Sequence, residues 1–489
     1  MVRTWQVGLS ERIDASRPAP LYMQIIQAVI HDVESGRLTS GTYLPSSREL
    51  ARMLGVNRKT VVLAYEDLIA QGWLSTTATR GTMVSATLPE QGAGRRGGAG
   101  GAGGAIRPAA PGYRFNRPPD RPLALPAGRG LKLDEGAPDG RLFPPELLAR
   151  AYRTATHRVS RSNGLQYRDP RGTPELRDAI AGMLKAQRGL PVGRENICIT
   201  RGSQNGIFLA AMALLRPGDA VIMEALTYEP AMAAFQALGA RIVPVGLDEG
   251  GMDVDAVEEA CRRHPVRAVF VTPHHQFPTT VALRPDRRLR LVEMARQYGF
   301  ALIEDDYDHE FHFQSQPLLP IAAYAPEQVI HVGSLSKLLL PALRIGYVAA
   351  PAPMIDALAH MISLSDGMGN GVTENAVATL IADGELRRHA RKARQVYAGR
   401  REGFARELRR VLGDRVDFRI PDGGLAFWLR FPGDMDRMEE RAAAAGLRFA
   451  PSRSFMASAD APRGLRVGFA SLDDEEARIA IAGLGQAAG

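Results

Sequence analysis

The chain has 489 residues with a formal net charge of +8, and 45% of them are hydrophobic, which is enough for a substantial core in about three folding units. It contains no run of about 20 apolar residues that could span a membrane, no apolar N-terminal segment typical of a signal peptide, and only two cysteines, too few for a disulfide framework. We therefore expect a cytoplasmic protein without a membrane partner, and the modest positive charge permits nucleic-acid binding without requiring it.

Three helices are predicted near the N-terminus. Apolar residues recur every four positions over residues 21–33, which is the pattern of an amphipathic helix. Ser46 and Glu49 have the spacing of a capping box and open a second helix. Asn57 is typical of the residue that caps a third helix.

The first turn of the third helix is crowded with basic and hydroxyl side chains, namely Arg58, Lys59 and Thr60. Two short β-like segments, 72–74 and 82–84, come after this helix. In a helix-turn-helix domain the second helix of the pair reads base edges with its N-terminal residues, while flanking groups hold phosphates. The order of elements therefore favours a DNA-binding domain over a small helical adaptor whose arginines are only solvated.

The N-terminal segment resembles the GntR-type winged helix-turn-helix domain. The resemblance rests on residues 44–68 and on the Arg-Gly-Thr-Met-Val sequence of residues 80–84, and it gives a domain at residues 15–86. It implies that operator DNA is a partner of this domain. The residues predicted to lie at the DNA are Arg48, Asn57, Arg58, Lys59, Thr60, Arg80 and Gly81.

Residues 87–125 have a different composition, rich in glycine, alanine, proline and arginine. A segment with so few apolar side chains cannot build a core, and glycine-rich chains behave as flexible coils. We expect a flexible linker that lets a DNA-binding domain reach a partner subunit but transmits no rigid signal.

From residue 126 to residue 485, apolar β-rich segments alternate with helical patterns. The segments are 197–200, 220–223, 268–272, 301–303, 329–332 and 345–349. Strands that are apolar throughout predict a mainly parallel sheet covered on both faces, in an α/β domain. Ligands of such sheets bind at the carboxyl ends of the strands, so the polar motifs that follow the strands are candidate site residues.

Lys337 lies in an otherwise apolar segment, after Ser334 and Ser336 and before Arg344. Burying an ammonium group is costly, and a desolvated amine becomes a nucleophile, so one interpretation is a Schiff-base lysine with the serines and the arginine holding a phosphate. The other interpretation is an amphipathic segment whose lysine reaches solvent. The segment alone supports both.

Other polar motifs allow more than one interpretation. Glycine and serine at residues 202–204 precede an apolar helix and could offer free amides to an anion. Residues 304–312 alternate carboxylates with histidines, which fits a metal site, a solvated acidic loop, or a carboxylate that keeps a pyridinium nitrogen protonated, and Lys337 downstream favours the last. Tyr228 could stack on a flat ring or be an ordinary loop residue, and Arg466 could bind a carboxylate or form a structural ion pair.

In chain order the motifs R-G-S-Q, T-P-H-H-Q-F-P-T, E-D-D-Y, S-x-S-K with R-x-G-Y, and L-R-V-G-F resemble the fold-type I aminotransferase domain, which binds pyridoxal 5′-phosphate and has a small C-terminal subdomain. The resemblance covers about residues 130–485 and gives a domain at 126–485. It implies that Lys337 forms the internal aldimine and that Asp305 contacts the pyridine nitrogen. Tyr307 would contact the ring hydroxyl oxygen, Tyr228 would stack on the ring, and no metal is expected.

The resemblance also implies anion-binding residues. The phosphate contacts would be Gly202, Ser203, Gln204, Ser334, Ser336 and Arg344. Tyr167 would reach the phosphate of the partner subunit in a homodimer, and Arg466 would bind the carboxylate of an effector.

Two positions depart from the aminotransferase pattern. Phe277 stands where the enzymes carry an asparagine, and it cannot donate a hydrogen bond to the cofactor oxygen, which argues against efficient transamination. Thr280 stands where the enzymes carry a glycine, so the backbone of that loop is not predicted by the resemblance.

A GntR-type domain joined to an aminotransferase-like domain resembles the MocR subfamily of bacterial transcription regulators, in which H-H-Q-F-P-T is itself typical. The resemblance implies that an amine or amino-acid effector displaces Lys337 to form an external aldimine and thereby alters operator binding. Two alternatives stay open: an active aminotransferase that carries a DNA-binding domain, and a sensor of pyridoxal 5′-phosphate itself that controls cofactor supply.

Overall fold

The computed structural model describes residues 9, 12–77, 81–88, 113–114, 130–314 and 318–489. The chain divides into two compact units, Met1–Arg114 and Phe115–Gly489. The predicted linker lies almost entirely outside the described residues, and so does Arg80. Within the described ranges no helix is both long enough and apolar enough to cross a membrane.

The first unit contains the predicted helices and hairpin. Its elements are α1 (Leu21–Glu34), α2 (Ser47–Leu54), α3 (Arg58–Ala70), β1 (Leu74–Thr77) and β2 (Gly81–Val84). Both predicted cap residues accept a helix amide, Ser46 Oγ from Glu49 and Asn57 Oδ1 from Lys59 at 2.9 Å. Of the predicted capping box only this Ser46 bond is among the described hydrogen bonds. The first strand begins later than predicted, since the preceding Gly72 adopts a turn conformation with φ of 82°.

The second unit is larger and mixes helices with strands. Its strands are β3 (Leu131–Lys132), β4 (Ile197–Thr200), β5 (Ala220–Glu224), β6 (Arg241–Val245), β7 (Leu247–Asp248), β8 (Gly251–Met252), β9 (Val266–Val271), β10 (Ala301–Asp306), β11 (Val329–Ser334), β12 (Gly346–Ala349), β13 (Asp417–Phe418), β14 (Ala426–Arg430), β15 (Leu447–Arg448) and β16 (Leu465–Gly468). Its helices are α4 (Pro145–Arg161), α5 (Pro174–Arg188), α6 (Ser203–Leu214), α7 (Glu229–Ala237), α8 (Val254–Arg263), α9 (Pro285–Tyr298), α10 (Ala352–Ser365), α11 (Gly371–Ala382), α12 (Glu385–Leu412), α13 (Met435–Ala444) and α14 (Asp474–Ala487).

The main sheet has seven strands in the order β4-β12-β11-β10-β9-β5-β6. Strand β12 runs antiparallel to both of its neighbours, and the other neighbouring pairs are parallel. The mainly parallel sheet and the α/β class predicted from the sequence are therefore confirmed. A separate antiparallel sheet, β13-β14-β16, belongs to the C-terminal part of the unit.

Both faces of the main sheet are buried under apolar layers. In β9, Val269 and Val271 belong to one buried cluster, while Ala268 and Phe270 belong to the other. This division follows from the alternation of side chains along a strand. It explains why the strands are apolar throughout rather than at every second position.

Strand β10 is longer than the sequence predicted. Glu304, Asp305 and Asp306 were assigned to the loop after the strand, but they form its last three residues. A carboxylate can lie inside a buried strand when other groups neutralise or hydrogen-bond it. Glu304 does so by accepting from the Ile321 amide at 2.7 Å and from His331 at 3.0 Å.

Candidate functional site

Asp305 lies at the carboxyl end of β10 and is 3% exposed. Its Oδ1 atom has no hydrogen-bond partner. Burial, together with the negative charges of Asp306 and Asp308, raises the pKa of this carboxyl to about 8 against the opposing effect of Lys337. A buried carboxyl with an unused oxygen is suited to receive a protonated ring nitrogen, which would restore its charge and complete its hydrogen bonding.

Lys337 lies three residues beyond the end of β11. Its Nζ atom donates a hydrogen bond to the Gly136 carbonyl oxygen at 2.6 Å. Burial lowers the pKa of this amine, and the carboxylates of Asp134 and Asp308 act in the opposite direction. Because a lower pKa increases the neutral, nucleophilic fraction, this setting favours the Schiff-base interpretation over a lysine that reaches solvent.

The motifs that the sequence assigns to a phosphate meet where three strands lie side by side. Gly346 in β12 pairs with Thr200 at the end of β4 on one side and with Ser334 at the end of β11 on the other. Helix α6 begins just beyond β4, and no side chain caps its first amides. Free amides at a helix start are an anion-binding feature.

Gly202 and Arg344 lie against each other at the start of α6. A Cβ atom on Gly202 would come within 3.1 Å of Arg344 Nη2, and the glycine has a φ of 83°. Arg344 donates to the Arg201 carbonyl oxygen at 2.8 Å. The positive φ favours glycine at this position, and the close approach leaves the Arg344 guanidinium beside the free amides of the helix.

The serines before Lys337 differ in their bonding. Ser334 Oγ accepts from the Ser336 amide at 3.1 Å, whereas Ser336 Oγ is buried without a partner. Ser203 opens α6, and Gln204 donates to the Pro230 carbonyl oxygen at 2.7 Å, which turns its amide group toward α7. The unused hydroxyl of Ser336 fits an anion that the protein itself does not supply.

Arg466 in β16 is 1% exposed and is held on several sides. Its Nε donates to the Glu135 carbonyl oxygen at 2.8 Å, and its Nη1 donates to the Pro278 carbonyl oxygen at 2.7 Å. Its Nη2 lies 3.2 Å from the hydroxyl oxygen of Tyr307. The guanidinium is therefore fixed beside the β10 end of the site. With the described residues it forms no ion pair of the kind that the structural interpretation of this arginine required.

The ring of Phe277 packs against the guanidinium of Arg466. Arg466 lies 4.4 Å from the centre of the Phe277 ring, and Tyr228 packs edge-on against the same ring with centroids 5.0 Å apart. Tyr307 donates its hydroxyl proton to the His275 carbonyl oxygen at 2.8 Å. Phe277 thus fills the position of the expected asparagine with an apolar contact. Stacking of Tyr228 on a cofactor ring stays a prediction.

Thr280 has a φ of 65°, the left-handed region in which the resemblance expects glycine. A β-branched residue is strained there. Its amide donates to the Gln276 carbonyl oxygen at 2.6 Å, and this bond closes the turn around the strained residue. The loop therefore keeps a glycine-like backbone despite the substitution.

The predicted DNA-contacting residues of the first unit lie at the start of α3, on α2 and at the hairpin. Arg48, Arg58 and Lys59 are exposed, and Thr60 is half-buried. Gly81 is exposed with a φ of 96°. The Asn57 side-chain oxygen caps α3, and its side-chain amide nitrogen is the donor available for DNA.

Tyr167 is 92% exposed in the single chain. Its predicted contact with a partner subunit stays a prediction. Among the described residues, no group of three or more histidines, cysteines or carboxylates is arranged to hold a metal ion.

A buried polar network on β10 was not predicted. Asp306 accepts from Arg188 at 2.5 Å and lies 3.2 Å from a ring nitrogen of His274. Arg188 holds the pKa of Asp306 well below its usual range against the effect of burial. Three consecutive acidic residues next to an apolar strand indicate that groups elsewhere must neutralise them. The sequence does not identify Arg188 as one of those groups, because it is more than a hundred residues away in the chain.

Both units of the chain match known protein families. Residues 21–84 match the gntR family of bacterial regulatory proteins. Residues 129–484 match the aminotransferase class I and II family. The chain is 31% identical to the probable rhizopine catabolism regulatory protein MocR of Rhizobium meliloti, over 96% of this chain and 94% of the relative. It is 30% identical to the HTH-type pyridoxine biosynthesis transcriptional regulator PdxR of Corynebacterium glutamicum, over 97% of each.

Solved structures match the second unit. Kynurenine aminotransferase from Pyrococcus horikoshii aligns with a TM-score of 0.69 and 28% identity, covering 74% of this chain and 91% of that protein. LysN, the alpha-aminoadipate aminotransferase of Thermus thermophilus, aligns with a TM-score of 0.68 and 29% identity, covering 73% and 92%. The latter was solved with an N-(5′-phosphopyridoxyl) amino acid.

Proposed function

The chain belongs to the MocR subfamily of GntR-type transcription regulators, and from this premise we propose that its second unit binds pyridoxal 5′-phosphate and senses an amine or amino-acid effector. Binding of the effector beside Lys337 alters the affinity of the first unit for operator DNA. The protein acts as a homodimer, in which Tyr167 completes the partner's phosphate site.

One observation carries the cofactor proposal: two buried polar atoms without partners occur where the cofactor's two ends would bind. Asp305 Oδ1 fits the ring nitrogen, and Ser336 Oγ fits the phosphate beside Arg344 and the free amides of α6. Buried polar groups are almost always hydrogen-bonded, so two orphans at one site support a ligand that satisfies both.

When bound, pyridoxal 5′-phosphate supplies an aldehyde that condenses reversibly with a primary amine. The protein contributes Lys337, whose lowered pKa keeps part of it neutral and reactive. Asp305 provides a negative charge at the ring nitrogen, and Tyr307, held by Arg466 and by the His275 carbonyl oxygen, offers its oxygen to the ring hydroxyl. Arg466 has further N–H groups with which to bind the carboxylate of an amino-acid effector.

The cofactor proposal is tested by comparing native protein with Lys337→Ala. Native protein purified with the cofactor absorbs at the wavelength of a lysine-bound aldehyde, and Lys337→Ala lacks that band. Lys185, an exposed lysine on α5, provides the matched control, and Lys185→Ala keeps the band. A native protein without the band, or a Lys337→Ala variant that retains it, contradicts the proposal.

The effector is then found by titrating cofactor-loaded protein with a panel of primary amines and amino acids while recording the absorbance and the melting temperature. A gel-shift assay with the operator measures the output. An effector changes both the absorbance and the operator affinity of the native protein, and it changes neither in Lys337→Ala.

An active aminotransferase is the second candidate, because Lys337 and Arg466 are held by adjacent residues of one segment and Asp305 lies within electrostatic reach of the amine. Phe277 opposes this candidate, since it offers the ring hydroxyl no hydrogen bond. Single-turnover spectroscopy with an effector and a keto acid separates the two. Conversion of the cofactor to its amine form with turnover supports the enzyme, and a persistent bound effector supports the sensor.

A further inference from the structure

The segment Asp134–Ala137 contacts two cationic groups of the site, Arg466 and Lys337, through its backbone. The Glu135 carbonyl oxygen accepts from Arg466 Nε at 2.8 Å, and the Gly136 carbonyl oxygen accepts from Lys337 Nζ at 2.6 Å. Glu135 therefore lies beside the group proposed to bind an effector carboxylate, and its neighbour Gly136 contacts the group proposed to react with the amine.

This segment is held in place by its own turn. Asp134 Oδ1 accepts from the amides of Gly136 and Ala137 at 2.8 and 2.5 Å. The Asp134 carbonyl oxygen accepts from the Gly468 amide at 2.6 Å, two residues beyond Arg466 in β16. Gly136 has a φ of 100°, a conformation in which other residues are strained. The position of Glu135 relative to Arg466 is thus fixed by the fold.

The Glu135 carboxylate lies near charged groups but is not bonded to any of them in the part of the chain that the structure describes. It is half-buried and forms no ion pair or hydrogen bond with any other described residue through its side chain. Arg466 and Lys337 attract it, but both already donate to backbone oxygens. Asp134 and Glu229 add negative charge around it. A partly desolvated carboxylate in such surroundings is best stabilised by a cation brought by the ligand.

We propose that Glu135 determines effector specificity by binding a second cationic group, so that the effector is an amino acid with an ammonium-bearing side chain. The inference rests on the proposed function and deepens it. Arg466 takes the carboxylate, the α-amine faces Lys337, and Glu135 accepts from the side-chain ammonium. Amino acids with acidic side chains are rejected because Glu135 would lie beside a like charge.

The test uses full-length protein loaded with pyridoxal 5′-phosphate and follows the cofactor absorbance during titration. The probes are L-2,4-diaminobutyrate, L-ornithine and L-lysine, compared with L-norleucine, which lacks the ammonium, and with L-glutamate. The best of the three dibasic probes is expected to bind native protein about tenfold or more tightly than L-norleucine, the range of a charge-assisted hydrogen bond. L-Glutamate is expected to bind more weakly than L-norleucine.

Glu135→Gln removes the charge while keeping the shape. It is expected to bring the dibasic probe and L-norleucine within about twofold of each other, since the difference between them came from the charge. Glu440→Gln, at an exposed glutamate on α13, is the matched control and keeps the native ratio. Glu135→Asp is expected to retain part of the preference.

A native protein that does not distinguish the dibasic probes from L-norleucine overturns the inference, and so does a Glu135→Gln variant that keeps the preference. The ratio of the two affinities in native protein is measured without any substitution. The test therefore remains valid even if a variant misfolds. If none of the five probes changes the cofactor absorbance but another primary amine does, the inference about Glu135 fails and the proposed function stands. If no primary amine changes the absorbance, the proposed function fails at the amine-binding step.

Discussion

Asp305 is a buried carboxyl group, and its surroundings destabilise the ionised form unless a positive group binds beside it. Its pKa is raised to about 8, chiefly by burial. In the unfolded chain an aspartate has a pKa of about 3.9, so between these values the folded protein binds a proton that the unfolded chain does not. Stability of the cofactor-free protein is therefore lost as the pH rises from about 4 towards about 8.

Asp305→Asn is expected to remove this pH dependence. The asparagine stays neutral at every pH. As the pH rises across that window, the free energy of unfolding of the cofactor-free variant therefore increases relative to that of the native protein by about 1.4 kcal/mol for each pH unit. Melting curves of cofactor-free protein at pH 5 and pH 8 measure the difference, with Asp414→Asn at an exposed position as control. An equal difference at both pH values contradicts the raised pKa. The same variant is expected to bind the cofactor more weakly, because it offers no charge to the ring nitrogen.

Residues with distinctive chemistry were predictable from the sequence, and residues that act through their backbone were not. A lysine in an apolar segment demands an explanation, and Lys337 was found in this way. Glu135 and Gly136 hold the site through carbonyl oxygens, which every residue possesses, so no residue type marks them. The three-residue extension of β10 was missed because its acidic residues resemble a loop until Arg188 and His331 are brought to them by the fold.

Among the elements, α3 has the features of a recognition helix. The Asn57 cap fixes its start, and Val61, Ala64 and Leu68 bury its inner face. Arg58 is exposed in the first turn, and the hydrogen bond that its side chain forms with the described residues is a long one, 3.5 Å from Nε to Ser47 Oγ. The periodicity and the capping residues were sufficient to predict this helix, because both are local properties of the sequence.

Arg58→Ala is expected to remove sequence-specific operator binding while the fold survives. A bidentate base contact is worth about 1–3 kcal/mol of discrimination, whereas an exposed arginine with one weak contact contributes little to stability. Gel shifts with operator and random DNA at two salt concentrations measure the loss, and Arg17→Ala, at an exposed arginine before α1, is the control. Unchanged operator affinity in Arg58→Ala means that α3 does not read the bases.

For the whole molecule, regulation requires that effector binding to the second unit is thermodynamically coupled to operator binding by the first. If an effector changes operator affinity by some factor, the operator must change effector affinity by the same factor, since both describe one thermodynamic cycle. Such couplings are typically about 1–3 kcal/mol, or about 5- to 150-fold in affinity. The sequence was sufficient to predict the two units separately, because each has its own periodicity and motifs. It does not predict the coupling between them, because no motif of either unit encodes it.

Reciprocity gives a test that needs no knowledge of how the units communicate. The effector affinity of cofactor-loaded protein is measured by absorbance with and without saturating operator, and the operator affinity by fluorescence anisotropy with and without saturating effector. The two ratios are expected to agree. In Arg58→Ala, which does not bind the operator specifically, added operator should leave the effector affinity unchanged, while the effector still binds. An effector that binds at Lys337 with equal affinity whether or not the operator is present would show that the second unit binds amines without regulating the first.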